Sequence, residues 1–145
     1  MRTVVVGVDG SDSSKRALEW AAEHAWDSGA TVRALYSWTP SVPAASFDAM
    51  RERHPEVDVA ADAKRFLRDV VRDVLGASPD VVVVQEVHRS TPARMLIEAS
   101  RDADLLVLGS RGTGGFAGLL LGSVGEQCVH HASCPVVIVP HDRRT

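Results

Sequence analysis

Apolar positions along this chain come in two spacings: short unbroken runs, and longer stretches where they recur every three or four residues. Thr3 to Asp9, "TVVVGVD", is β-branched and unalternated, the pattern of a strand buried on both faces. The next stretch predicts a helix capped by Ser13 or Ser14. Leu18, Ala21, Ala22 and Ala25 form its apolar stripe and Gly29 its stop. A second strand is expected over Ala30 to Ser37. Trp38 to about Val57 is rich in Pro, Ala and Ser and reads as a long irregular connection. Val59, Ala63, Phe66, Leu67, Val70, Val71 and Val74 then keep helical spacing up to Gly76. Val81 to Val87 predicts the third strand. "STPARMLIEAS" follows as a helix, with Ser90 or Thr91 as cap and Pro92 in its first turn. Asp104 to Leu108 gives a fourth strand, Ser123 to about His131 a helix, and Val136 to Val139 a fifth strand.

Strands and helices therefore alternate from end to end, which predicts an α/β fold with an open, doubly wound parallel sheet. No internal repeat or second domain is visible, so residues 1–145 are read as one domain. In such sheets ligands sit beyond the carboxyl ends of the strands, where the strand order reverses. The loops after the strands are where chemistry is expected.

Composition narrows the partners. Hydrophobic residues make up 45% and charged residues 24%, a globular balance, and the net charge of -3 gives no electrostatic footprint for nucleic acid. The opening "MRTVVVGVDG" runs into a strand without the apolar core of a secretory signal, and no run is long enough to span a bilayer. Cys128 and Cys134 are too few for a disulfide framework and lack zinc-site spacing; buried, reduced packing is expected. His130 and His131 are adjacent, so a helix splays them, and no metal ligand set is read from the sequence. We expect a cytoplasmic protein with no membrane or nucleic-acid partner.

Each strand end offers different groups. After the first, "DGSDSS" places Asp9 where a carboxylate can reach a ribose hydroxyl or a phosphate-bound metal, or else order its own turn. After the third come His88 and Arg89, with no neighbouring nucleophile in sequence. After the fourth lies the glycine-rich "GSRGTGGFAGLLLGSVGEQ", Gly109 to Gln127. It is not a Walker loop, because no Gly-Lys-Ser/Thr closes it and Arg111 is its only cation. Gly112, Gly114 and Ala117 fit a variant of the dinucleotide fingerprint, but that fingerprint belongs after the first strand. What the stretch offers is exposed amides followed by a helix start at Gly122 and Ser123. Gly109 and Gly112 can take positive φ and let a ligand approach the backbone closely. Amides at a helix N-terminus favour an anion, and polyphosphate is the natural guest.

The spacing Gly109-x2-Gly112-x9-Gly122-Ser123 resembles the ATP-binding motif of the universal stress protein family. The opening "VVVGVDGSDSSKRALEWA", the "ADLLVLGSRG" before the motif and the closing "CPVVIVP" are similar to that family as well, so the likeness spans nearly the whole chain. The resemblance implies a five-stranded parallel sheet of order 3-2-1-4-5 with helices on both faces. It implies that Asp9, beside Val8, meets the ribose, and that the main chain near Ser37 meets the adenine. Gly109, Gly112 and Gly122, with Ser123 and the amide of Val124, would surround the phosphates of ATP, with magnesium, and Leu108 and Arg111 are expected among the nucleotide-binding residues. It also implies a homodimer through Val136, Val137, Ile138 and Val139. One departure is Gly125, where many members carry a second hydroxyl residue.

The function expected on these grounds is a nucleotide-sensing regulator of the stress response, with no catalytic residue assigned. The alternative is a slow ATP hydrolase or an ATP-pyrophosphatase-like enzyme. "DGSDSS" is a near miss to the loop of the latter, and hydrolysis would need Asp12, Glu126 or His88 to orient a water. A phosphorelay receiver shares the strand pattern, but His88 and Pro140 stand where it needs an acid and a lysine.

Overall fold

The computed structural model describes residues 2–111 and 121–140. Five strands form one sheet: β1 (Thr3–Gly7), β2 (Thr31–Trp38), β3 (Val83–Arg89), β4 (Leu105–Gly109) and β5 (Val136–Val139). All neighbouring pairs are parallel, in the order β3-β2-β1-β4-β5. The helices are α1 (Asp12–Ser28), α2 (Ala44–Arg53), α3 (Val59–Leu75), α4 (Pro92–Ala99) and α5 (Ser123–His131), with a 3-10 turn over Ser100–Asp102. The expected α/β class and strand order are both present.

Because successive strand side chains point to opposite faces, the β-branched runs feed two cores at once. Val4, Val6, Val32 and Ala34 pack with Leu18, Ala21 and Ala25 of α1 and Leu67, Val70 and Val71 of α3. Val5, Leu35, Leu106 and Leu108 pack with Met95 and Leu96 of α4 and Cys128 of α5. Each fully buried aliphatic side chain contributes about 1.5–3 kcal/mol, so these two layers outweigh any single helix cap, at about 1 kcal/mol.

The cap of α1 differs from the expectation. Ser11 is the N-cap, and its Oγ accepts from the Ser14 amide at 3.2 Å. Ser13 and Ser14 lie inside the first turn, buried, and their hydroxyls make other bonds, local for Ser14 and long-range for Ser13. The Asp9 amide donates to Ser14 Oγ and the Arg111 amide to Ser13 Oγ, each at 3.2 Å. Gly29 ends the helix with φ +74, its amide donating to Ala25 at 2.9 Å, as its place after the last apolar position predicts.

The stretch from Trp38 to Val57 is not irregular throughout, because it contains α2. This helix buries one side chain, Phe47, and so lacks the apolar stripe that would announce it. Phe47 packs at 5.7 Å from the Trp38 ring, and the Arg89 guanidinium lies 5.0 Å from Phe47 and 5.8 Å from Trp38. Arg89 also reaches Asp48 at 3.3 Å. One buried aromatic set against about 1–2 kcal/mol of backbone entropy per residue leaves α2 marginally held.

Two glycines fix close approaches that position the strand ends. Gly10, at φ +83, lies beneath Phe66 of α3, where a Cβ would come 2.6 Å from the ring. Gly109 ends β4 against the first turn of α1, where a Cβ would sit 2.6 Å from the carbonyl carbon and oxygen of Ser13. Gly109 does not use the positive φ open to it: among the described residues only Gly10, Gly29 and Gly76 adopt one. Gly109 is small because a helix lies on it.

β3 is an edge strand and carries charge. Arg33 of β2 holds Glu86 through two bonds, Nε–H at 2.6 Å and Nη2–H at 2.9 Å. The guanidinium holds the Glu86 carboxyl below the ordinary glutamate range, against the opposing effect of its burial. A depressed folded pKa contributes stability above the unfolded value, about 4.3, that is lost as pH falls through the folded one. Glu86→Gln is therefore expected to lose about 0.5–1 kcal/mol at neutral pH and to show a shallower acid limb. The two unfolding curves converge in acid, where urea titrations at several pH values read the difference. Gly109→Ala is expected to lose roughly 1–3 kcal/mol by overpacking, measured as a lowered urea midpoint with an unchanged slope.

Candidate functional site

β1 and β4 lie side by side, with Val4 opposite Leu105 and Val6 opposite Val107. The chain leaves β1 toward β2 and leaves β4 toward β5, so the strand order reverses between them and opens a crevice at their carboxyl ends. A cavity of about 330 Å³ occupies that crevice, at the lower end of the range for small-molecule sites.

Its two ends differ in chemistry. Leu35, Pro92, Met95, Leu96 and Leu108 make an apolar pocket between β2 and α4, closed at the rim by the backbone of Tyr36 and Ser37. Asp9, Ser14, Arg111 and the start of α5, Gly122 to Gly125, line the polar end. Val8, Asp9, Ser37, Leu108, Gly109, Arg111, Gly122, Ser123 and Val124, all singled out from sequence, border this one cavity. Gly112 lies outside the described residues.

Asp9 orders its own turn. Its Oδ1 accepts from the Ser11 amide at 2.9 Å and from Ser11 Oγ at 2.5 Å, an Asx turn that delivers the chain into α1. Asp9 also lines the cavity while holding that turn, so the two readings of Asp9 are compatible rather than exclusive.

The polar end is rich in donors that lack acceptors. The Gly122 amide donates to Ser110 O at 2.9 Å, and the first bond within α5 runs from Glu126 N to Gly122 O at 3.0 Å. Between them the amides of Ser123, Val124 and Gly125 have no acceptor among the described residues, and no side chain caps the helix. α1 and α3 are capped by Ser11 and Asp58, whereas α2 and α4, like α5, have no side-chain cap. Arg111 Nε is buried without a partner. A buried donor left unpaired costs about 1–3 kcal/mol, and Arg111 lines the same cavity as the uncapped start of α5. Gly125 stays buried beneath Leu121, where a Cβ would come 2.6 Å from Leu121 Cδ1. A hydroxyl side chain at 125 would have to displace that leucine.

Other candidates fall elsewhere. His88 sits exposed at the end of β3, 3.4 Å from Glu86, outside the cavity lining. Burial pushes the Cys128 thiol up to about 11, and burial together with Asp104 raises that of Cys134. Both stay protonated at neutral pH, unlike reactive thiols. Among the described residues no group of three His, Cys, Asp or Glu side chains could hold a metal, and no helix is long and apolar enough to cross a membrane. Sequence reasoning did not anticipate the apolar wall of Met95 and Leu96. The signal for it was the strand–helix crossover after β3, which lays α4 across the strand ends.

Comparison with known proteins agrees with this geometry. The sequence model of the universal stress protein family matches residues 1–140. A universal stress protein of Mycobacterium tuberculosis is 36% identical over 138 residues, covering 93% of this chain and 44% of that protein. The chain thus spans about half the length of the curated relatives it matches. Among solved structures, a universal stress protein UspA from Lactobacillus plantarum is similar with a TM-score of 0.77 at 25% identity, covering 95% of this chain and 97% of that one. A universal stress protein crystallised in complex with cAMP is similar with a TM-score of 0.65 at 30% identity, covering 97% and 98%. With a family match over nearly its whole length, this chain belongs to the universal stress protein family.

Proposed function

We propose that this chain is an ATP-binding regulator of the stress response, a cytoplasmic nucleotide sensor that acts as a homodimer. One observation carries the reading: Arg111 and the start of α5, whose Ser123, Val124 and Gly125 amides have no acceptor among the described residues, line the same cavity as an apolar set of side chains. That pairing suits a molecule with a flat apolar base and several phosphates. A relative bound to cAMP supports an adenine nucleotide.

In this reading the base enters between Leu35, Met95, Leu96 and Leu108 and meets the main chain at Ser37. Asp9, with Val8 behind it, accepts from the ribose hydroxyls without leaving its turn. The phosphates sit against the amides of Ser123 and Val124, beside Gly109 and Gly122, with Arg111 supplying positive charge. Magnesium enters with the phosphates, as Mg-ATP. Charge at a helix N-terminus and hydrogen bonds to ionised groups both favour an anion there.

The two sheet edges differ in a way that supports the dimer. β3 carries Glu86, His88 and Arg89, whereas β5 reads Val136, Val137, Ile138 and Val139. Charged edges resist pairing and apolar ones invite it, and a symmetric partner along β5 would cover its edge.

The test begins with protein purified without added nucleotide, denatured and resolved by anion exchange. ATP in the extract is the expected result, and ADP would instead mark hydrolysis during purification. Calorimetric titration with Mg-ATP follows. Gly122→Val is expected to abolish binding with the fold intact, because the Gly122 backbone is extended (φ -72, ψ 168) and tolerates valine. Asp9→Ala is expected to weaken binding by roughly 1–3 kcal/mol, and Asp9→Asn separates loss of charge from loss of the turn. Wild-type affinity in both Gly122→Val and Asp9→Ala would refute the site. Light scattering at micromolar concentration is expected to give twice the chain mass; a stable monomer would rule out the dimer.

A further inference from the structure

At the opposite end of the sheet from the nucleotide cavity, the C-terminal turns of α1 and α3 converge on the loop that enters β3. Between them runs an open groove of about 600 Å³. Val74 and Leu75 of α3 give it an apolar floor, and Trp26 of α1 stands on its wall with 65% of its surface exposed. Glu23, Asp27 and Asp80 rim it, and among the described residues no lysine or arginine lines it. None of these three carboxylates has an ion pair or hydrogen bond in the described structure.

The sign of the charge runs against local stability. Helix C-termini carry partial negative charge and favour basic residues. α1 has no basic residue in its last turn and places Asp27 there, one turn beyond Glu23. α3 carries Arg72 in its last turn, outside the groove lining, so the negative potential around the exposed Trp26 indole comes from the uncompensated end of α1 and from three acids without a partner among the described residues. The indole is itself a good acceptor for a cation over its face. Local rules broken without compensation inside the fold tend to mark functional surfaces. Tryptophan beside an apolar pocket is also the residue type that most often anchors an interface.

We propose that this groove is a docking surface for a basic, amphipathic peptide segment of another protein. An aliphatic or aromatic side chain of that segment seats on Val74 and Leu75. Its arginine or lysine lies over Trp26 and pairs with Asp27, Glu23 or Asp80. Charge complementarity selects this occupant, since an acidic segment, a nucleic acid or an anionic membrane would be repelled.

The test is selection of random twelve-residue peptides displayed on phage against the intact protein, followed by titration of the recovered sequences as fluorescein-labelled synthetic peptides. Recovered peptides are expected to carry two or more Arg or Lys residues beside an apolar one, and to bind more weakly as salt is added. Affinity should fall at least tenfold in Trp26→Ala and in Asp27→Lys, while Mg-ATP binding stays at the wild-type value. Asp27→Lys should also melt at a higher temperature than wild type, because a base replaces an acid at a helix C-terminus. Lost docking in a more stable variant is a result that a purely structural role for Asp27 does not produce. No enrichment, enrichment of sequences without cations, or binding that survives Trp26→Ala would overturn the proposal. A change of oligomeric state in either groove variant would assign the surface to a second copy of this chain and overturn it as well.

Discussion

The contact on which the rest of this structure depends is the seat of the first turn of α1 against the end of β4. Gly109 offers no side chain there, so the backbone of Ser13 comes to within reach of its Cα, and Ser13 Oγ takes the amide of Arg111. That seat fixes where the chain emerges from the fourth strand relative to the loop after the first. The Asp9 turn, the Arg111 side chain and the start of α5 all take their places from it. Two loops separated by about a hundred residues in sequence become walls of one cavity because a single Cβ is missing.

The fold was legible from sequence for a simple reason. Strands buried on both faces must be continuously apolar, helices laid on them must repeat every three or four residues, and both patterns are long enough here to read without ambiguity. α2 escaped because its attachment is not periodic. One phenylalanine between a tryptophan and an arginine from two strand ends leaves no stripe in the sequence. The cap of α1 was misassigned because four hydroxyl- or carboxyl-bearing residues, Ser11 to Ser14, all have the right chemistry. Ser13 and Ser14 are engaged elsewhere, Ser14 with the Asp9 amide and Ser13 with the Arg111 amide, and Ser11 does the capping.

The candidate site was legible in part. Glycine spacing marked the backbone-lined end, and Asp9 was conspicuous at the close of an apolar strand. The reason for Gly109 was misread, since a glycine that admits a ligand and a glycine that admits a helix look alike in one dimension. The apolar end was silent, because Leu35, Met95 and Leu96 belong to the core pattern and carry no separate mark. Gly125 stood out as a missing hydroxyl, and its burial under Leu121 gives that absence a packing reason.

A cavity whose polar end is made largely of main-chain amides has a consequence for how such a site wears under mutation. Every residue carries an amide, so replacing Ser123 or Val124 removes almost nothing that faces the cavity, and a scan that trims side chains passes over the region. The constraint lies instead on what is added: one carbon at Gly109 collides with a helix backbone. At these positions sequence drift is therefore bounded by a ceiling on size more than by a demand for particular functional groups.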